Sequence, residues 1–184
     1  MRAPGKFTLV KAVYKGFADD PIPSRSAKGR FHEAPGSICY LAEDADTAWR
    51  EVSYRWQAQP SEYRLVEAGL TVHRWLDLTD EKTQHKYKID VARLVADDYR
   101  YCQELAARLR AKGIEAVRTY SRADRPDGRN WVVFLECLGP QSSLEVLRVG
   151  SVPPRPSKAP PAKAPRSRKR SKSSGRATGS RKKT

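Results

Sequence analysis

The feature that most limits what this chain can fold into is a break in composition at residue 150. Residues 151–184 hold 12 Lys and Arg, no Asp or Glu, and no large apolar side chain after Val152. Such a stretch cannot bury enough apolar surface to offset the entropy of ordering it. The expectation is one folded domain over 1–150 and a disordered basic tail over 151–184. Taking the tail out of the 36 basic and 21 acidic residues leaves 24 against 21, so the net charge of +15 falls to +3 for the domain. The basicity that invites a nucleic-acid reading therefore belongs to the tail.

The 150 residues that remain are enough for a core. Cys39, Cys102 and Cys137 are far apart, odd in number and set in apolar patterns. They read as reduced core residues, with no CxxC spacing for a metal or a redox pair. No apolar run approaches the ~20 residues that span a bilayer, and no signal-peptide core opens the chain. The expectation is a cytoplasmic protein with no membrane partner and no metal.

Periodicity gives a mixture of strands and helices. Residues 7–14 read as a first strand, with Lys11 inside it. A buried ammonium without a partner is costly, so the plain expectation is that Lys11 snorkels or points to solvent. Residues 18–29 are a loop by composition that could cover a site. A strand over 37–41 follows Pro35-Gly36. The helix after it is capped by Asp44 or Asp46 and buries Ala45, Ala48, Trp49, Val52 and Trp56. Residues 63–78 read as two strands or one bent strand, with Gly69 at the bend. A polar connection over 79–96 contains one short helix. A helix from Asp97 or Asp98 buries Tyr101, Leu105, Ala106 and Leu109 and stops at Gly113. Strands are expected over 114–120, 131–138 and 144–149, with Ser121 just after the first of these.

Residues 28–52 bring unlike chemistry together. A Gly-Arg-Phe turn (Gly29, Arg30, Phe31) is followed by a strand carrying Tyr40 and a helix carrying Glu51. A cation, a phenol and a carboxylate suit a ligand bearing phosphate and ribose. The plainer alternative is that Tyr40 is core and that Glu51 and Arg55, four apart, form an ordinary surface pair. His73 stands alone, with no second His at ligand spacing.

These segments resemble the RES domain, named for an Arg, a Glu and a Ser. The carriers are GRF at 29–31, PG at 35–36, CYLA at 39–42, AWRE at 48–51, the RLVEAGLTVHRWLDLTD segment and the stretch from DDYRYC to NWVVF. The resemblance covers about residues 7–149. It implies an α+β fold like the ADP-ribosyltransferase core, with mixed split sheets and flanking helices. It also implies a site made of Arg30, Tyr40, Glu51 and Ser121, with Lys11 where the family has a further Arg. Lysine keeps the charge but loses the planar fork.

The function implied is consumption of NAD as substrate, by cleavage of the nicotinamide–ribose bond, in a toxin restrained by an antitoxin protein. Arg30, Glu51 and Ser121 would be the catalytic set, and Lys11, Arg30 and Tyr40 would bind substrate. Two alternatives stand beside it. One is a mono-ADP-ribosyltransferase that modifies a macromolecule. The other is a module that binds nucleic acid non-specifically through the tail.

Overall fold

The computed structural model describes residues 2–56, 59–124 and 126–150. The expected tail over 151–184 lies outside the described residues. So do the side chains of Arg55 and Trp56, and with them the alternative Glu51–Arg55 pair.

Among the described residues, seven strands and four helices make an α+β domain, as expected. The strands are β1 (Gly5–Tyr14), β2 (Ile38–Ala42), β3 (Tyr63–Val72), β4 (Trp75–Asp77), β5 (Ala116–Tyr120), β6 (Arg129–Phe134) and β7 (Ser143–Val149). The helices are α1 (Ala45–Trp56), α2 (Glu81–Tyr87), α3 (Val91–Leu94) and α4 (Arg100–Arg110). Sheet order is β4-β5-β6-β2-β1-β3-β7. Only β4–β5 is parallel.

The sheet is continuous but nearly divided. β1 pairs with β3 from Gly5↔Val72 to Tyr14↔Tyr63, yet it pairs with β2 only at Val10↔Ala42. Past that pair the loop after β1 enters between the two strands. Ser24 N donates to Ile38 O at 2.8 Å, and Gly36 N donates to Ser24 O at 3.0 Å. Lys11 ties the other side of this wedge: its Nζ donates to the carbonyls of Pro21 at 2.7 Å and Ile22 at 2.9 Å. The split in the sheet is therefore filled by loop backbone, and the cavity described below lies beside it.

Side-chain alternation sends each strand's apolar residues to two cores. Ile38, Val117, Val132 and Phe134 face one side with Leu105, Ala106 and Leu109 of α4. Cys39, Leu41, Ala116, Trp131 and Val133 face the other with Leu70 and Val72 of β3. Ala48 and Trp49 of α1 pack on Ala12 and Ala42 in a third cluster. Cys39 and Cys102 are buried, and Cys137 is half-buried.

Several elements differ from the periodicity reading. The break in 63–78 falls at His73–Arg74 rather than at Gly69. The irregularity near Gly69 belongs to β7, where the register with β3 slips between Glu67 and Ala68. Leu147 packs over Gly69, and a Cβ there would sit 3.3 Å from it. The strand from Trp131 starts at Arg129 and stops at Phe134, because Leu135–Cys137 turn into a short 3-10 helix. α2 has no buried residue and so no apolar stripe to reveal it. It is held by its cap, where Asp80 accepts from the Thr83 amide.

Candidate active site

Two faces of α1 do different work. Asp44 caps the helix by accepting from Thr47 N at 2.7 Å. Ala48, Trp49 and Val52 then turn to the core, while Thr47, Arg50 and Glu51 turn to the connection between β5 and β6. Glu51 Oε1 accepts three hydrogen bonds there: from Ser121 Oγ at 2.6 Å, Arg122 N at 3.1 Å and Asn130 Nδ2 at 2.7 Å. No described residue holds Oε2. Three donors on one oxygen fix the carboxylate's orientation and leave the other oxygen to a ligand.

The loop that brings these donors is itself pinned. Asp124 N donates to Ser121 Oγ at 3.0 Å. The Asp124 carboxylate accepts from Thr47 Oγ1 at 3.0 Å and lies 3.4 Å from Arg50 Nε. Gly128 closes the loop: a Cβ there would sit 2.7 Å from the Asp124 carbonyl oxygen and 3.0 Å from Ser121 Cβ, so no larger residue fits without displacing the loop.

Glu51 and Asn130 line a cavity of about 340 Å³ with Arg30, Tyr40, Tyr99, Tyr120 and Arg122. This lies toward the small end of ligand sites. Arg30 and Glu51, the two charges singled out in the sequence, therefore share one cavity. Ser121 is 0% exposed and stands behind Glu51 rather than on the wall.

Tyr40 borders the cavity with its ring, but its hydroxyl is built into the Gly-Arg-Phe turn. Phe31 N donates to that oxygen at 2.9 Å, and His32 Nδ1 lies 2.9 Å from it. His32 Nε2 is 3.0 Å from the Ser26 carbonyl, which can only accept. That places the proton on Nε2 and makes Nδ1 the acceptor for the tyrosine hydroxyl. A Cβ on Gly29 would collide with the His32 ring and approach the Tyr40 oxygen to 3.0 Å, which is why the turn begins with glycine. Gln103 of α4 holds the turn from behind by donating to Gly29 O at 2.9 Å.

The two basic residues of the expected site have other occupations. Arg30 Nη1 donates to Leu94 O at 2.9 Å and Ala96 O at 2.7 Å, and the guanidinium stacks on Tyr99 at 4.7 Å. Lys11 borders the cavity with its stem, but its ammonium is taken by the Pro21 and Ile22 carbonyls. Burial lowers the Lys11 pKa from its ordinary value, against the opposing pull of Cys39 and Asp20. Lys11, expected as a phosphate ligand, has its ammonium on the loop that splits the sheet.

His32, Asn130, Arg122 and Gln103 were not singled out in the sequence. The only signal was position: His32 directly follows Gly-Arg-Phe, and Arg122 directly follows Ser121. Among the described residues no group of three or more His, Cys, Asp or Glu could hold a metal ion. No described helix is long and apolar enough to cross a membrane.

A divided mixed sheet with an oriented carboxylate in a cavity beside the split defines the protein as α+β with a cavity of ligand size. The model of the RES domain matches residues 2–150, and the chain belongs to the RES domain family. Among solved structures it is similar to a chain in the crystal structure of the M. tuberculosis MbcT–MbcA toxin–antitoxin complex. The TM-score is 0.63 at 19% identity, over 82% of this chain and 87% of that one. Comparison with curated proteins finds no match.

Proposed function

We propose that this chain is a NAD-consuming enzyme that breaks the bond between nicotinamide and ribose, and that it acts as a toxin held in check by a protein antitoxin. The observation that carries the reading is Glu51, with Oε1 saturated by three donors and Oε2 left to the cavity. Membership of the RES domain family supports NAD as the substrate. The likeness to a chain from a toxin–antitoxin complex supports the partner.

The chemistry asks little of the protein beyond electrostatics and placement. The C–N bond breaks with its electron pair leaving on the nicotinamide nitrogen, which thereby loses its positive charge. The anomeric carbon gains oxocarbenium character, as in glycoside cleavage. An oxygen of water or phosphate then bonds to that carbon and sheds its proton to solvent. Glu51 Oε2 accepts from a ribose hydroxyl and offsets the developing positive charge, the kind of term that contributes most to catalysis. Ser121 and Asn130 hold the carboxylate in place. The Tyr40 ring borders the pyridine ring. Arg30, anchored on Leu94 and Ala96, forms part of the cavity wall.

The test is NAD loss with the purified full chain and NAD labelled in its adenylate half. Release of label as ADP-ribose or its phosphate ester supports the reading. Retention of label on protein or nucleic acid replaces it with macromolecular ADP-ribosylation. Unchanged NAD contradicts both.

A further inference from the structure

One lysine and three arginines line the cavity: Lys11, Arg25, Arg30 and Arg122. A dinucleotide brings a diphosphate, which needs a cation whose donors can turn toward it. Lys11 Nζ and Arg30 Nη1 are committed to backbone carbonyls of the fold. Releasing those carbonyls would leave acceptors unpaired at a cost that an incoming anion must overcome.

Arg122 stands differently. Its backbone amide is fixed to Glu51 Oε1 at 3.1 Å, so its side chain starts beside the carboxylate that would face the ribose. Its guanidinium lies 5.7 Å from the ring centre of Tyr54, another residue of the cavity wall. Its acidic partner is Asp97, with Nη1 to Oδ1 at 2.5 Å, and the Asp97 side chain is 88% exposed. An ion pair to so exposed an acid is worth about 0–1 kcal/mol and exchanges readily. Arg25 also pairs with an exposed acid, Asp20, but it sits in the loop after β1 and has no tie to Glu51.

We infer that Arg122 binds the diphosphate of the substrate, and that the Asp97 carboxylate occupies its guanidinium until the substrate displaces it. A carboxylate and a phosphate present similar acceptor pairs to the arginine fork, so one can replace the other without moving the backbone. The phosphate lies within one side chain's reach of Glu51, as the short link between ribose and 5′-phosphate requires. This inference rests on the cavity being the NAD site.

The experiment titrates the full chain with ADP-ribose and with inorganic pyrophosphate in a calorimeter, and measures NAD turnover alongside. Arg122→Ala is expected to weaken both ligands and raise KM about ten- to hundredfold, the worth of a hydrogen bond to a charged group. Arg122→Lys is expected to fall between that and the parent chain. Asp97→Asn is expected to tighten both ligands by a few fold, since it removes the competitor. A merely structural ion pair gives the opposite sign, with Asp97→Asn weakening binding as Arg122→Ala does. That result, or unchanged binding in Arg122→Ala, overturns the inference while leaving NAD turnover standing. Pyrophosphate binding that depends on Arg122 without any NAD turnover overturns the proposed function and keeps the anion site. A parent chain that binds neither ligand overturns both.

Discussion

The Ser121 hydroxyl donates to Glu51 Oε1 at 2.6 Å across 70 positions of sequence. Ser121 stands at the end of β5, and Glu51 is in the middle of α1. The bond exists because the loop after Ser121 folds back on the start of α1 through Asp124 and Thr47. Ser121 is fully buried and off the cavity wall, so a substrate does not reach its hydroxyl as a nucleophile. Behind a carboxylate it is a support, and its effect on activity is expected to pass through Glu51.

Ser121→Ala therefore affects stability as well as activity. It leaves Oε1 with two donors and the Asp124 amide without its acceptor. Ser121 is fully buried, so a loss of about 1–3 kcal/mol is expected, read as a lower midpoint in urea with the slope unchanged. A midpoint equal to that of the parent chain would show that the loop is held by other means.

Lys11→Met separates two accounts of the same residue. As a brace, Lys11 satisfies the carbonyls of Pro21 and Ile22, and its loss costs about 1–3 kcal/mol for each acceptor left unpaired. As a phosphate ligand, its loss would raise KM for NAD and leave stability alone. The structure predicts the first outcome, measured by thermal unfolding together with the kinetics.

Glu115 supplies a pH-dependent part of the stability. It is 3% exposed, and burial alone would push its carboxyl up. Hydrogen bonds from the amides of Arg74, His73 and Gly139 outweigh that and leave the group below the ordinary value of 4.5. A depressed carboxyl stabilises the fold fully above its unfolded pKa, and the contribution fades as pH falls through 4.5 toward the folded value. Glu115→Gln is expected to be less stable by about 1.5–3 kcal/mol at pH 7. The gap between the two chains should narrow steadily below about pH 4.5. A gap that stays constant with pH would contradict this account.

Much of the fold was legible because apolar spacing carried it. The core stripe of α1, the buried face of α4 and the strand ending before Ser121 all repeat at a helical or strand period. α2 was missed because its seven residues bury nothing and are held by the Asp80 cap and by Lys88 in the left-handed region at φ 53°. Lys11, Arg30, Tyr40 and Glu51 line one cavity, with Ser121 behind Glu51, since GRF, CYLA and AWRE sit on adjacent elements. What the sequence could not reveal was occupancy. Lys11 and Arg30 are held by carbonyls 10 to 66 positions away, and backbone acceptors leave no trace in residue identity. Asn130 escaped because its partner, the Glu51 carboxylate, lies 79 positions back and no local spacing links the two.

The most direct test of the whole account is NAD turnover by Glu51→Gln. Glutamine keeps an acceptor for Ser121 and Asn130 and so preserves the fold, but it removes the negative charge that would face the ribose. The parent chain is expected to consume NAD, and the variant, with an unchanged unfolding midpoint, to do so about a hundredfold or more slowly, as for loss of one strong electrostatic contact in a transition state. Equal turnover by the two chains would contradict the account.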